Sequence, residues 1–135
     1  MSYQVFIRKN YLLSDIINVI KSILDIGEDE VALLFDNKDV DEKPVYIDVV
    51  KLTGNFKTLL EVYKDEDVKP HFSETAFATT LSCKLKDDVL IDDGKVYPHS
   101  WLLIKPDMRK YIVREEPIDL EGHFELEKEF KFLLE

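Results

Sequence analysis

The stretch VYIDVVKLTGNFKTLLEVY, residues 45–63, decides the fold class of this 135-residue chain. Its first arm, Val45 to Leu52, is rich in β-branched residues, and Thr53-Gly54-Asn55 separates it from a second apolar arm, Phe56 to Tyr63. A three-residue connector that contains glycine is typical of a β-hairpin. The second arm also fits the spacing of an amphipathic helix, but the β-branched first arm and the explicit turn favour two strands.

Two amphipathic helices are predicted on either side of this hairpin. The first runs from Asp15 to Asp25, where isoleucines recur at helical spacing, with Ser14 as its N-cap and Gly27 as its stop. The second begins at the N-cap Ser73, which lies between two phenylalanines at the positions of a hydrophobic staple. Both helices have an apolar side that must pack on a sheet.

Short strands are predicted in most of the remaining chain, namely at Tyr3 to Arg8, Val31 to Phe35, Val89 to Ile91, Trp101 to Ile104 and Tyr111 to Val113. The pair Asp92-Asp93 precedes Gly94, so a turn is favoured there over an acid–base pair. The tail 121–135 has a loose helical pattern of apolar residues and is predicted to be a peripheral helix. The expected fold is a single α+β domain over residues 1–135, with an antiparallel or mixed sheet and two to three packed helices.

The charge of the chain is strongly negative and unevenly distributed along the sequence. The net charge is −10, from 28 acidic and 18 basic residues. Residues 25–42 contain eight acids and one base, residues 115–135 contain eight acids and two bases, and the remainder has a net charge of +3. A field of this sign repels phosphate backbones and attracts basic surfaces. A basic protein is therefore the expected partner, and direct binding of nucleic acid is not expected.

The sequence contains no recognisable catalytic, cofactor or metal-binding motif. Four scattered glycines form no phosphate-binding loop, and the acidic stretch after residue 36 lacks the spacing and glycine of an EF-hand. The histidines His71, His99 and His123 are isolated, without the spacing of a zinc site. Cys83, the single cysteine, lies on the second predicted helix and is interpreted as a packing residue. The expectation is a protein that is not an enzyme and that holds no cofactor or metal.

The sequence also predicts a cytoplasmic location. Its apolar runs are far shorter than the roughly 20 residues that span a bilayer, and the N-terminus lacks the features of a secretory signal. A single cysteine rules out an internal disulfide. No membrane partner is expected.

Several short segments carry a resemblance to a known protein family. They are AFATTL at residues 76–81, VLIDD at 89–93, YPHSWLLI at 97–104 and the turn Pro106-Asp107. In the order and spacing of these segments, the second half of the chain resembles small immunity proteins of bacterial polymorphic-toxin and contact-dependent growth inhibition systems. The resemblance implies a cytoplasmic, non-catalytic protein that binds and blocks one cognate toxin, which in many such systems is a basic nuclease. Met108 departs from the pattern, because a glycine would be expected there.

The resemblance assigns no contact residues, so the candidate partner-binding residues come from the charge pattern. They lie at the end of the first helix and in the loop that follows, and are Glu28, Asp29, Glu30, Asp36, Asp39, Asp41 and Glu42. These carboxylates would steer a basic toxin domain and occlude its active site. Two alternatives remain open. One is a small enzyme or ligand-binding domain with a pocket around Tyr97 and His99, and the other is an adaptor module whose charge serves only solubility.

Overall fold

The computed structural model describes residues 2–27, 30–33, 43–68, 71–94, 100–116 and 121–134, with the backbone alone for 32–33 and 128–134. It shows an α+β fold. The elements in chain order are β1 (Ser2–Ile7), α1 (Leu13–Leu24), β2 (Val31–Leu33), β3 (Val45–Lys51), β4 (Thr53–Gly54), β5 (Thr58–Lys64), α2 (Glu74–Leu85), β6 (Val89–Asp92), β7 (Ser100–Ile104), β8 (Lys110–Glu115), β9 (His123–Phe124) and β10 (Leu126–Leu134).

Eight strands form one mixed sheet in the order β10-β8-β7-β6-β1-β5-β3-β2. Neighbours are antiparallel except β2, which runs parallel to β3. The predicted hairpin is confirmed, because β3 and β5 pair from Val45 opposite Lys64 to Lys51 opposite Thr58. Side chains of β5 are buried at every second position, as expected of a strand with one covered face. Of the predicted strand at 31–35, Val31–Leu33 form β2, which is the last strand of the sheet in the described ranges. Residues 34–35 lie outside the described residues.

The two faces of the sheet are covered differently. Both helices pack on one face, where the largest cluster of buried apolar side chains forms; its members include Val5, Ile7, Ile16, Ile20, Leu24, Ile47, Leu60, Val62, Phe77, Leu81, Val89 and Ile91. On the other face a smaller cluster is formed by Phe6, Phe56, Leu90, Leu103, Val113 and Phe124. This second cluster lies on β1, β6, β7 and β8, with Leu59 of β5 packed against its edge. In the part of the chain that the structure describes, no helix lies over the opposite face of β3 and β5.

The first helix begins earlier than the sequence predicted. Its N-cap is Leu12, in extended conformation, because the backbone N–H groups of Asp15 and Ile16 already donate to the Leu12 carbonyl. Ser14 therefore lies in the first turn, and its assignment as the N-cap is wrong. The helix ends before Asp25, which adopts the left-handed conformation two residues ahead of the predicted stop.

The second helix follows the prediction at its start. The Ser73 hydroxyl accepts a hydrogen bond from the Ala76 N–H at 3.1 Å, and α2 begins at Glu74. Ser73 thus satisfies one of the unpaired donors of the first turn.

The prediction of a helix in the tail is wrong. Residues from Leu126 to Leu134 form β10, which pairs antiparallel with β8, for example Phe132 opposite Ile112. Two helices, and not three, are present in the described ranges. The reason is tertiary: β8 would otherwise present a row of unpaired backbone groups, and the tail satisfies them.

Two exposed apolar residues occupy positions that suit other residue types. Leu12 is an N-cap without a side-chain hydrogen bond. Met108 has a φ of 73° in the β7–β8 turn, where the sequence pattern called for glycine. We expect Leu12→Ser to raise the free energy of unfolding by about 1 kcal/mol through capping, and Met108→Gly by about 0.5 kcal/mol through relief of backbone strain. Denaturant unfolding measures both.

Leu12→Ala is the matched control, since it removes the same exposed side chain without supplying a hydroxyl. The expectation fails if serine and alanine at position 12 give equal stability, or if Met108→Gly destabilises the protein.

Candidate functional site

The two ends of the large sheet carry opposite charge. The strand pairing brings Lys51, Thr58, Ile7, Val89, Ile104 and Lys110 into one row across the first end. The loops and helix termini there, which we call the basic end, contain Arg8, Lys9, Lys51, Lys57, Lys84, Lys86, Lys105, Arg109 and Lys110 against Asp15, Asp87, Asp88, Asp107 and Glu121. Nine bases and five acids give this end a net charge of +4.

The opposite end, which we call the acidic end, has twelve acids and four bases, a net charge of −8. The acids are Asp25, Glu30, Asp65, Glu66, Asp67, Glu74, Asp92, Asp93, Glu115, Glu116, Glu125 and Glu127, and the bases are Lys21, Lys43, Lys64 and Arg114. The pKa of Glu74 at this end is raised by burial, and the nearby charge of Asp92 raises it further.

Next to the acidic end lies the uncovered side of β3, β5 and β1. Two cross-strand rows define what we call the open face. The first row is Tyr46, Tyr63 and Ser2, and the second is Asp48, Glu61 and Gln4. Strand alternation explains the placement, since the residues between them point into the helix-covered core. Tyr63 is 38% exposed and the other members of β3 and β5 are half-buried.

The open face holds two carboxylates in direct opposition. Asp48 and Glu61 are register partners, and like charges in this arrangement destabilise a sheet. Glu61 accepts hydrogen bonds from the Tyr63 hydroxyl and, at 3.5 Å, from the amide of Gln4. The hydrogen bond to Glu61 raises the pKa of Tyr63, and the Asp48 charge adds to the shift. Within the described ranges, neither carboxylate forms an ion pair.

Two shallow depressions connect the open face to the acidic end. One, of about 330 Å³, is lined by Ser2, Tyr46, Tyr63, Lys64 and Asp65. The other, of about 450 Å³, is lined by Asp25, Ile26, Glu30, Pro44, Asp65, Asp67 and Val68. Asp65 lines both depressions, so they adjoin at this residue, and the second depression is the acidic one, with Asp25, Glu30 and Asp67 in its lining.

Of the seven predicted partner-binding residues, only one lies within the described ranges. Glu30 is exposed at the acidic end, and its side chain accepts a hydrogen bond from the Gly27 N–H at 3.1 Å. The other six lie outside the described residues; they are Glu28, Asp29, Asp36, Asp39, Asp41 and Glu42.

The residues of the open face were not among the candidates predicted from the charge pattern. Asp48 and Glu61 are single acids inside two apolar strands, so no charge run marked them. The signal was the alternation in each arm of the hairpin, which places polar residues on the face opposite the core. Only the hairpin register shows that the two acids stand opposite each other.

The alternative pocket around Tyr97 and His99 cannot be compared with the structure. Tyr97 and His99 lie outside the described residues, and His71 is exposed. Asp92 accepts a hydrogen bond from the Gly94 N–H, as expected of the predicted turn, and Asp93 accepts one from the Ser100 hydroxyl. No group of three or more His, Cys, Asp or Glu side chains in the described ranges is arranged to hold a metal ion.

Comparison with protein-family models, with curated proteins and with solved structures finds no match for this chain. Among the described residues, no helix has both the length and the apolar character needed to cross a membrane.

Proposed function

We propose that the protein is a non-catalytic, cytoplasmic immunity protein that binds and neutralises a cognate basic toxin domain. The observation that carries the proposal is the open face, where Asp48 and Glu61 oppose each other next to the cross-strand pair Tyr46 and Tyr63. The resemblance of the segments between residues 76 and 107 to immunity proteins supports the same conclusion.

The open face has the chemistry to receive a lysine or arginine side chain. A cation between Asp48 and Glu61 would relieve a repulsion of about 0.2–1 kcal/mol in the free protein. Tyr46 and Tyr63 offer aromatic rings beside the same point, and a cation over such a ring gains about 0.5–2 kcal/mol. The free protein is therefore slightly destabilised at the position where the basic partner would bind.

The remaining negative charge would act at longer range. The acidic end lies next to the open face. The predicted segment from Glu28 to Glu42, without Glu30, which is already counted at that end, adds five more net negative charges. Fields of this kind raise association rates by about 10- to 1,000-fold and lose their effect as salt screens them. The acidic end would steer the toxin domain toward the protein. Binding at the open face would then occlude the active site of the toxin.

The test separates affinity from stability. We expect the double variant Asp48→Asn and Glu61→Gln to weaken binding at least about tenfold per carboxylate. Each substitution removes a charged contact with the basic side chain of the toxin. The same pair should raise the stability of the free protein by about 0.5 kcal/mol, because the repulsion is gone. The probe is the toxin domain whose gene neighbours that of this chain, which the proposal requires to exist. Association kinetics at low and physiological salt, together with unfolding curves, measure both quantities.

Asp15→Asn with Asp107→Asn is the matched control, because it changes the net charge equally at the basic end and should leave affinity within about twofold. A third variant, Asp36, Asp39 and Asp41 to lysine, tests steering by the predicted segment and should slow association. If the control pair and the open-face pair weaken binding equally, the open face is not the site. A hydrolase or nuclease activity of the purified protein would overturn the proposal in favour of the enzyme alternative.

A further inference from the structure

The basic end also carries most of the exposed large apolar side chains. Leu12 is 71% exposed, Met108 is 61% exposed and Leu13 is 38% exposed. Within the described ranges only Val50 and Tyr63 share this property, and Val50 directly precedes Lys51. An apolar side chain that faces water amid lysines is a second feature of this end, independent of its charge.

Hydrogen bonds show that these residues belong to one continuous surface. Asp88 accepts from Arg8 at 2.9 Å and from Lys105 at 3.3 Å, which joins the β1–α1 loop to the β7–β8 turn. Lys51 donates to the Tyr11 carbonyl at 2.6 Å, next to Leu12. The end of α2 joins the same surface through Cys83, whose thiol lies 3.4 Å from the carbonyl of Pro106.

Several cations of this surface are available to a ligand. Lys9, Lys57 and Lys86 are exposed, and none of them forms an ion pair with a described residue. Arg109 pairs only loosely with Asp107, at 3.5 Å and with both side chains more than half exposed. Two acids of this end are not available to neutralise the exposed lysines, because Asp87 is buried and Asp88 already pairs with Arg8 and Lys105.

We propose that the basic end docks on the surface of an anionic lipid bilayer, which goes beyond the proposed function. Lys9, Lys57 and Lys86 would lie at the headgroups, and Leu12 and Met108 would enter the boundary between headgroups and acyl chains. Each lysine or arginine near such a surface strengthens binding by about fivefold, and a buried apolar side chain adds about tenfold.

The negative charge of the rest of the molecule does not prevent this docking. The strands that separate the two ends have six to seven residues in β1, β3 and β5. At about 3.3 Å per residue this is a separation of roughly 20 Å. The Debye length at physiological ionic strength is only about 8 Å, so the repulsion between the acidic end and the bilayer is largely screened. The charge separation would orient the molecule with its acidic end away from the lipid.

The exposed apolar residues favour a bilayer over other anionic partners. Single-stranded nucleic acids bind through aromatic stacking, whereas the exposed apolar residues of the basic end are Leu12, Leu13 and Met108. A second copy of the chain offers a complementary acidic end, but the only exposed large apolar side chain near that end, among the residues described, is Tyr63. Leucine and methionine would stay in water in such a pair.

The experiment is vesicle flotation with the full chain, using phosphatidylcholine alone and an equal mixture with phosphatidylglycerol. We expect binding to the mixture only, weakened by salt. Leu12→Ser and Met108→Gly should each weaken binding by about tenfold although both are expected to stabilise the fold, so unfolding cannot explain the loss. Reversal of Lys9, Lys57 and Lys86 to glutamate should weaken it at least about 100-fold.

The matched control reverses Lys21, Lys43 and Arg114, which changes the net charge equally at the acidic end and should alter vesicle binding by no more than about twofold. Equal losses in both triple variants, or no binding to the anionic vesicles, overturn the proposal. Sedimentation of the protein alone and with a DNA oligonucleotide covers the other partners. Self-association or DNA binding that the basic-end reversal abolishes, without vesicle binding, would also overturn it. None of these readouts involves a toxin, so the result stands apart from the proposed function.

Discussion

Gly54→Ala is expected to lower the free energy of unfolding by about 3 kcal/mol or more. A Cβ at this position would lie 2.1 Å from the carbonyl oxygen of Phe124 and 2.8 Å from its carbonyl carbon. The backbone there has a φ of 99°, which an L side chain rarely adopts. β9 cannot move aside without loss, because the Asn55 N–H donates to that same carbonyl at 2.8 Å.

The effect is large because the contact between Gly54 and the Phe124 backbone holds part of the smaller apolar cluster in place. β4 pairs with β9. The centroid of the Phe124 ring lies 4.7 Å from that of Phe6, 5.5 Å from that of Trp101 and 6.0 Å from that of Phe56. If alanine separates the two short strands, these rings lose their neighbour and become accessible to water. Trp101 is the only tryptophan, so its fluorescence should shift to the red together with the loss of stability.

Gly94→Ala and Gly122→Ala are the matched controls for Gly54→Ala. Both glycines also have positive φ, at 71° and 75°, but a Cβ at either would have no neighbour within 4 Å among the described residues. Each should cost only about 1 kcal/mol, the strain of the backbone itself. Denaturant unfolding that gives the same loss for all three glycines would contradict the steric explanation.

Asp87→Ala is the second change with a large expected effect, a loss of about 3 kcal/mol in stability. Asp87 is 4% exposed, and its carboxylate accepts hydrogen bonds from the Lys9 N–H at 3.0 Å, the Tyr11 hydroxyl at 2.8 Å and the Asp88 N–H at 2.8 Å. Alanine would leave these three donors without their acceptor. Burial raises the pKa of Tyr11, and the hydrogen bond to Asp87 raises it further.

A double-mutant cycle with Tyr11→Phe measures this contact in unfolding experiments. We expect a coupling of about 1–2 kcal/mol between positions 11 and 87, because the two side chains share a hydrogen bond to a charged acceptor. Asp107→Ala is the control, since Asp107 is exposed and should cost about 0.5 kcal/mol or less. A loss at Asp87 no larger than at Asp107, or a coupling near zero, would show that the network contributes little.

Much of the fold follows from local features of the sequence. The β3–β5 hairpin was predictable because β-branched residues and a glycine turn lie next to each other in the chain. The start of α2 was predictable because Ser73 supplies its cap from within the same turn. Both depend on neighbours in sequence, where propensity and hydrogen bonding act without help from the rest of the fold.

The errors lie where a distant partner decides. The tail from Leu126 to Leu134 has a pattern compatible with a helix, yet it is a strand because β8 offers an edge to pair with. The N-cap of α1 is Leu12 and not the predicted Ser14, because no local signal in the sequence marks an apolar N-cap. Local preference is a weak prior that a tertiary contact readily overrides.

The candidate site divides in the same way. By itself the sequence determined the sign and size of the net charge, the α+β class, and the acids that fall in runs. Only the tertiary structure opposed Asp48 and Glu61 on the open face and separated an acidic from a basic end. In an antiparallel sheet the end of each strand lies beside the start of the next, so charges from Arg8 to Lys110, scattered along a hundred residues, meet at one end. That convergence depends on strand order and register, which long-range packing sets and which no local stretch of the chain encodes.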